Sequence, residues 1–559
     1  MFYRKQIEVL NEWRISTTRK PLVIRGARQV GKTTLVNEFG KQFDQYIYIN
    51  LEKDNEAQFF KNNDDIQTLV EKIFIDKRKL LSKADQTLLF IDEIQEVPKA
   101  INMLRYFKED FPQLAVIAAG SMLETLMGKN LTFPVGRVEY RVLRPLSFEE
   151  FLIAMGEDIL LEKYRTIPLS NVAENALLKA FHTYALIGGM PEVVQKYSEN
   201  KDITSLAPIY DALINSYLED AEKYADDNNQ LHLIRFSIPQ AMANAGKRIT
   251  FQKFGNSNYS PKKIREVLYA LEKTHLLHIL YPVTSPVIPL DRNHNKTPRI
   301  QFLDSGMLNY FLGLQKDIIG SKDLNNVYQG TLIEHLVGQE LLSFQNLSLK
   351  KLHFWVREKK QSDAEIDFIH SYNGKIIPIE VKSGAKGRLR SLQVFMDSSP
   401  HHYAIRFYAG KSQLDEITTK NGKTFYLLSL PYFLAAKVEY YIEWLMKEVD
   451  GKLLEQSTIL NESKGQYKKS KPKAKKWELS QLKNKHFKLL SLCSNKPQKG
   501  RFLIEEGLNL SYQTRNKNEY IRPLFDLGLI EFTNKEFEKS KNQKYQITKK
   551  GLELLEKQC

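Results

Sequence analysis

A chain of 559 residues is too long for one apolar core, and at ~100–200 residues per domain it should divide into roughly three to five. With 42% hydrophobic and 26% charged residues, no apolar run near the ~18 that cross a bilayer, no signal-peptide core and two cysteines, composition excludes a membrane span, a zinc cluster and a disulfide framework; a cytoplasmic, reduced protein is expected. The net charge of +16 is uneven, since residues 451–559 carry 24 Lys and Arg against 12 Asp and Glu, an asymmetry that points to nucleic acid as a partner of the tail.

In chain order, Pro21 to Arg25 (PLVIR) predicts a short buried strand that empties through G26-A-R-Q-V-G-K-T33 into a helix reaching Gly40. The loop matches G-x-x-x-x-G-K-[ST], a cradle for a polyphosphate. Gly26 and Gly31 let backbone N–H groups turn inward near a helix N-terminus that favours anions. The nucleotide-binding segment is therefore expected to be Gly26, Ala27, Arg28, Gln29, Val30, Gly31, Lys32, Thr33 and Thr34. Lys32 reaches the β- and γ-phosphates and Thr33 holds Mg²⁺, so ATP and Mg²⁺ are the expected cofactors.

Further strands are predicted at 46–51, 87–93 and 114–121, alternating with helices, the signature of a parallel sheet covered on both faces. L88-L-F-I-D-E93 ends in two acids at the carboxyl end of its strand. There Asp92 is placed to hold Mg²⁺ through water and Glu93 to polarise the attacking water. Ser121 ends the next apolar run, where it either senses the γ-phosphate or caps the following helix.

Residues 145–228 read as helices interrupted from Gly188 to Pro191 (GGMP), and residues 229–318 as helices followed by β-rich stretches. A helix begins at Pro261, capped by Ser260, with Lys262, Lys263 and Arg265 crowding its N-terminus. Cations there oppose the helix dipole at about 0.3–1 kcal/mol each, a cost that a phosphate backbone reverses. With the strand-like run from Leu276 to Pro282 this is either a DNA-binding winged helix or an interdomain packing module.

In A364-E-I-D-F-I-H-S-Y-N-G-K-I-I-P-I-E-V-K382, Asn373-Gly374 predicts a two-residue hairpin turn. Paired residues then have numbers summing to 747, which sets Asp367 opposite Glu380 and Glu365 opposite Lys382, all on one face. Ile366, Phe368, Ile379 and Val381 fall on the other. Clustered carboxylates repel, and a divalent metal relieves that. Asp367 and Glu380 are candidate ligands for Mg²⁺ or Mn²⁺, Glu334 on the preceding helix is a third, and Lys382 would position a hydrolytic water. A surface hairpin with Glu–Lys pairs is the alternative.

The stretch K464-G-Q-Y-K-K-S-K-P-K-A-K-K476 has seven lysines and no acid and should be a disordered basic linker. Beyond it, helices over 486–493 and 511–527 and a two-stranded wing over 528–548 are predicted. Arg515, Lys517 and Arg522 fall on the recognition helix, and Lys539, Lys541 and Lys544 on the wing, where DNA contacts are expected. His275, His278, His401 and His402 lack ligand spacing and are expected to pack.

The loop around Lys32, L89-F-I-D-E-I-Q95, A119-G-S-M122, G136-R137, R144-P-L-S-F-E-E-F151 and the Gly188 to Pro191 break together resemble a large bacterial and archaeal family of AAA-type P-loop ATPases. Its members carry a C-terminal domain of unknown function related to PD-(D/E)xK nucleases. The resemblance covers roughly residues 1–435. It implies an ATPase core with a helical lid, and it makes Arg137 the candidate arginine finger, in cis or from a neighbouring subunit of a homo-oligomer; a surface ion pair is the alternative for that residue. Glu334, Asp367, Glu380 and Lys382 resemble the nuclease constellation, although no Pro precedes the Asp. The tail is similar to the winged-helix tails of bacterial regulators.

The expected architecture is multidomain α/β: an AAA-type core at 1–144, a helical lid at 145–228, a winged helix at 229–318, a nuclease-like α/β domain at 319–450, a linker at 451–479 and a second winged helix at 480–559. The expected function is ATP binding and hydrolysis coupled to action on DNA, with a metal-dependent nuclease. The alternative is an ATP-switched DNA-binding regulator whose nuclease-like domain is inactive.

Overall fold

The computed structural model describes residues 2–62, 65–120, 136–222, 225, 227–315, 331–344, 351–358, 364–382, 389–451, 477–513, 516–533 and 544–557. The chain forms two compact units, residues 1–450 and 451–559. None of the described helices is long and apolar enough to cross a membrane.

The first unit opens with helix α1 (Gln6–Ile15) and a parallel sheet of β1 (Leu22–Arg25), β2 (Gln45–Asn50), β3 (Thr87–Asp92), β4 (Ala115–Ala119) and β5 (Glu139–Val142), in the order β2-β3-β4-β1-β5. The first four lie within two residues of the expected strands; β5, with its polar sequence EYRV, does not read as an apolar run. Strands β1, β3 and β4 are buried at every position, which is why they read as unbroken apolar stretches. Their side chains alternate between two cores: Leu22, Ile24, Leu88, Phe90 and Ile117 face one, Val23, Leu89, Ile91 and Val116 the other. Helix α2 (Lys32–Gly40) covers the first face, and α3 (Asp54–Lys61), α4 (Ile66–Asp76) and α5 (Pro98–Glu109) cover the second.

Helices α6 (Phe148–Met155), α7 (Asp158–Arg165), α8 (Glu174–Ile187), α9 (Pro191–Asn200) and α10 (Ala207–Glu222) follow. Ser147 and Glu150 form a reciprocal capping box at the start of α6. Next come α11 (Asn228–Ala243) and α12 (Pro261–Lys273), the latter capped by Ser260, whose side chain accepts from the Lys263 N–H. Strands β6 (Leu277–Leu280) and β8 (Arg299–Phe302) pair antiparallel, and β7 (Pro282–Val283) joins a different sheet. Helices α13 (Ser305–Phe311) and α14 (Thr331–Ser343) lead to β9 (His353–Val356), β10 (Glu365–Tyr372), β11 (Lys375–Val381), α15 (Arg390–Ser398), β12 (Tyr403–Tyr408), β13 (Gln413–Thr418) and β14 (Thr424–Pro431), a mixed sheet ordered β13-β14-β12-β11-β10-β9-β7. The four stretches of the first unit share one apolar core. It runs from Leu22 and Ile24 through Phe148 and Tyr184, then Ile264 and Leu268, to Ile379 and Phe407.

The hairpin has the expected register, with Tyr372 opposite Lys375 and Phe368 opposite Ile379, and Asn373 and Gly374 at φ 44° and 74°. One expectation fails. Ile366 does not share a core with Phe368 but joins Ile369, Ile376 and Phe395, because β10 shifts register against β9 between Ile366 and Ile369.

In the second unit, α16 (Asn484–Asn495), helical turns at Gly500–Phe502 and Leu503–Gly507, and a helix formed by Lys517–Ile521 and Arg522–Asp526 pack around Leu489, Leu490, Leu503, Ile504, Leu524 and Tyr545. Strands β15 (Gln498–Lys499), β16 (Ile530–Phe532) and β17 (Lys544–Ile547) are ordered β15-β17-β16, and α17 (Lys549–Glu556) closes the unit. Residues 511–513, expected as helix, are irregular, and the Ser511 carbonyl accepts from the Asn516 side chain. The third strand and the last helix were not expected, although Thr548 caps that helix by accepting from the Gly551 N–H. The lysine-rich stretch 464–476, Arg515, Lys539 and Lys541 lie outside the described residues.

Candidate nucleotide site and carboxylate cluster

The loop between β1 and α2 is built around two backbone constraints. Gly26 has φ 144°, and a Cβ there would lie 2.2 Å from the Leu143 carbonyl oxygen; Gly31 has φ 93°. Gln29 is also left-handed, at φ 59°. Lys32 is buried and donates to the Gly26 and Ala27 carbonyls at 3.0 and 2.8 Å, so its ammonium lies inside the loop. Burial pulls its pKa down to about 8, opposed by the charges of Glu93 and Asp92.

Thr33 donates to Asp92 at 2.7 Å, although 59 positions separate them, and the Tyr48 hydroxyl donates to the same oxygen at 3.2 Å. Burial raises the Asp92 carboxyl pKa. Glu93 is left-handed at φ 48° and accepts from the Gln95 side chain at 2.6 Å. An oxygen pair of Thr and Asp beside a buried lysine and glycine-freed N–H groups suits a magnesium polyphosphate. A cleft of about 420 Å³ runs past Arg28, Gln29, Gly31, Lys32, Thr33, Thr34 and Glu93, and it is roomy enough for a nucleotide.

Several lining residues escape sequence reading. Arg4 borders the cleft and donates to the carbonyls of Val30 at 2.9 Å and Arg144 at 2.6 Å, while its Nε meets Glu150 at 3.0 Å. Its signal is slight, one arginine in an amphipathic opening. Arg28 forms an ion pair with Asp220 of α10, and the Tyr217 hydroxyl donates to the Arg28 carbonyl at 2.6 Å, so the lid helix is pinned to the loop.

Leu146, Pro191, Glu192 and Gln195 complete the wall. The Gly188–Pro191 break is a point of close approach: a Cβ on Gly188 would lie 2.2 Å from an Asp304 carboxylate oxygen, and one on Gly189 would lie 2.2 Å from the Leu146 carbonyl oxygen. Asp304 accepts from the Gly189 N–H at 2.7 Å, and Glu340 of α14 accepts from the Phe148 N–H at 3.2 Å and the Tyr184 hydroxyl at 2.6 Å. Both carboxyls are buried, which pushes Asp304 up to about 6 and Glu340 up to about 7.

Ser121 lies outside the described residues. Arg137 donates to Glu109 at 2.7 Å on the surface. It precedes β5, which runs parallel to β1 with Glu139 beside Leu22, whereas the loop follows β1. Strand length at ~3.3 Å per residue puts it about 13 Å or more from the loop end, where it makes the surface ion pair with Glu109.

Around the hairpin, the ladder ends at Phe368–Ile379, and Asp367 turns its carboxylate to the Val381 N–H at 2.7 Å. Glu380 pairs with Lys382, while Glu365 pairs with Arg299 and with Arg248 at 3.1 Å in place of Lys382. Arg299, from β8, also meets Glu334 at 3.3 Å and Asp367 at 3.9 Å. The expected residues do come together, with an arginine among them. Burial raises the Asp367 carboxyl, and pushes Glu334 up to about 8 and Glu380 up to about 7. Among the described residues no group of three or more His, Cys, Asp or Glu is arranged to hold a metal ion. Arg299 had little signal in the sequence, a charge at the start of RIQF, a strand of alternating polar and apolar residues buried at all four positions.

Lys262 and Lys263 are exposed at the start of α12, and Arg265 lies 4.9 Å from the centre of the Phe251 ring. In the second unit Lys517, Arg522 and Lys544 are exposed, and Arg522 lies 3.6 Å from Asp526. His278 contacts Arg144 at 2.9 Å and His401 the Ile376 carbonyl at 2.7 Å, both packing roles.

A family model for an AAA domain matches residues 18–152, and one for a winged helix-turn-helix matches residues 486–558. Two domains of unknown function match residues 178–318 (DUF8612) and 329–433 (DUF4143). The chain therefore carries an AAA domain and a C-terminal winged helix. An uncharacterized protein of Haemophilus influenzae is 25% identical over 383 residues, 64% of this chain and 81% of its own length. Among solved structures, a Walker-type ATPase of Pyrococcus abyssi aligns at 16% identity and TM-score 0.37, covering 56% of this chain and 96% of that one. The Orc1 protein of Aeropyrum pernix in complex with DNA aligns at 12% identity and TM-score 0.25, covering 56% and 91%.

Proposed function

We propose that this protein binds ATP with Mg²⁺ in the loop after β1, hydrolyses it, and uses the cycle to act on DNA. The observation that carries the reading is the 2.7 Å contact of Thr33 with Asp92, made where a glycine-freed loop encloses the Lys32 ammonium. Backbone N–H groups from Ala27 to Thr34 orient the phosphates, and Lys32, held near 8 by burial, takes full charge against them. Thr33 and Asp92 would hold the magnesium, which would supply charge neutralisation on the phosphates. Glu93 orients the attacking water, Ser121 reads the γ-phosphate, and Arg137 is supplied by a neighbouring copy in an oligomer. Phosphate release by Lys32→Ala should fall about 10²-fold or more, with the fold intact by circular dichroism. Undiminished turnover in the folded variant would refute the assignment.

DNA is the proposed partner because the tail combines a winged-helix match with exposed Lys517, Arg522 and Lys544. Two readings of the residue 319–450 module follow. In one, Asp367 and Glu380 hold Mg²⁺ or Mn²⁺ and Lys382 positions water for DNA cleavage. In the other, the protein is an ATP-switched DNA-binding regulator and the module does not cut. The position of Arg299 among Glu334, Glu365 and Asp367 favours the second. The readings part on one assay, metal-dependent cutting of DNA by the pure protein.

A further inference from the structure

Four carboxylates, Glu334, Glu365, Asp367 and Glu380, converge beside the β10–β11 hairpin, facing three cations, Arg248, Arg299 and Lys382. Arg299 is the one that reaches three of the four, and its side chain is only 6% exposed. It is not part of the hairpin. It arrives from β8, which pairs with β6 in a separate two-stranded sheet, and its guanidinium lies 4.9 Å from the centre of the Phe354 ring.

We propose that Arg299 takes the cation position of this cluster, so that the carboxylates hold a guanidinium in place of a divalent metal while β8 lies against the hairpin, and become a divalent-cation site when that side chain is withdrawn.

Geometry supports the exchange. A guanidinium is planar, always charged and presents five donors in a fork, so one side chain can serve several carboxylates at 3–4 Å. A hard divalent ion needs the same oxygens drawn in to about 2.0–2.6 Å around one point, which the Arg299 atoms prevent. It also donates to the Asp367 backbone carbonyl at 3.2 Å, which ties the strand as well as its side chain. The cluster remains short of positive charge. One oxygen of Glu380 is buried without a hydrogen-bond partner. Removing Arg299 would leave four acids facing two cations, a deficit that one divalent ion cancels.

The inference rests on this cluster and not on the nucleotide reading, so it is tested without nucleotide. Full-length protein is titrated with Mn²⁺ and free Mn²⁺ is followed by electron paramagnetic resonance. Wild type should show no site that depends on Asp367. Arg299→Met should gain one site, at least about tenfold tighter than any in wild type, and Arg299→Met with Asp367→Asn should lose it. Should Arg299→Met fail to fold alone, Mn²⁺ is expected to restore a cooperative melt, and no restoration overturns the proposal. It is equally overturned if wild type binds Mn²⁺ through Asp367, or if folded Arg299→Met gains nothing.

Discussion

At the scale of single residues, Glu93 shows how environment assigns roles to two neighbouring acids. Asp92 is committed, hydrogen-bonded by Thr33, Tyr48 and the Glu93 N–H, whereas Glu93 lines the cleft on a left-handed backbone with only Gln95 on its carboxylate among the described contacts. Removing the charge of Glu93 should therefore spare binding and stop chemistry. Glu93→Gln is expected to keep ATP affinity within about threefold while kcat falls ~10²–10⁴-fold, measured by nucleotide titration and phosphate release. Lys32, Thr33, Asp92 and Glu93 were legible because their spacing is dictated by phosphate geometry and acts within a few residues of a strand end. Arg4, Tyr217 and Asp220 were not, since each reaches the loop from a distant element that no local pattern announces.

At the scale of elements, the hairpin was readable to the residue, because an Asn-Gly turn fixes register by itself. Ile366 escaped because the bulge is set by pairing with β9, a partner that the hairpin's own letters do not reveal. The same limit applies to the tail, where short wing strands depend on one another for pairing. Its exposed Lys517, Arg522 and Lys544 make it the element whose charge should govern DNA affinity. Each phosphate neutralised adds about 0.9 to the slope of log K against log salt. Deleting residues 464–559 should therefore lower that slope by several units in fluorescence anisotropy titrations with duplex DNA. An unchanged slope would place the DNA contacts elsewhere.

Across the whole of the first unit, the continuous core means that the modules separable in sequence are not separable in packing. Composition shifts mark changes of secondary structure, but they carry no information about which apolar faces meet. The buried carboxylates that bridge these stretches have a thermodynamic signature. Burial raises Glu340 to about 7 and Asp304 to about 6, above the ordinary carboxylate range of the unfolded chain. Each therefore takes up a proton on folding, and its contribution is complete at acid pH and lost as pH rises through 6 to 7. The melting temperature should fall between about pH 4 and 7, the interval from the ordinary carboxylate range up to these raised values, and level off above it. Glu340→Gln should flatten part of that fall, and a slope identical to wild type would remove Glu340 from the account.

The contact of Gly188 and Gly189 with Asp304 and Leu146 has a mechanical meaning. A joint with no side chain to rearrange and no gap to close behaves as a solid bearing. The cleft wall at Leu146 and Pro191 is thereby joined to α13 through Asp304 and to α14 through Glu340, so a side chain added at Gly189 is expected to disturb the wall and both helices together.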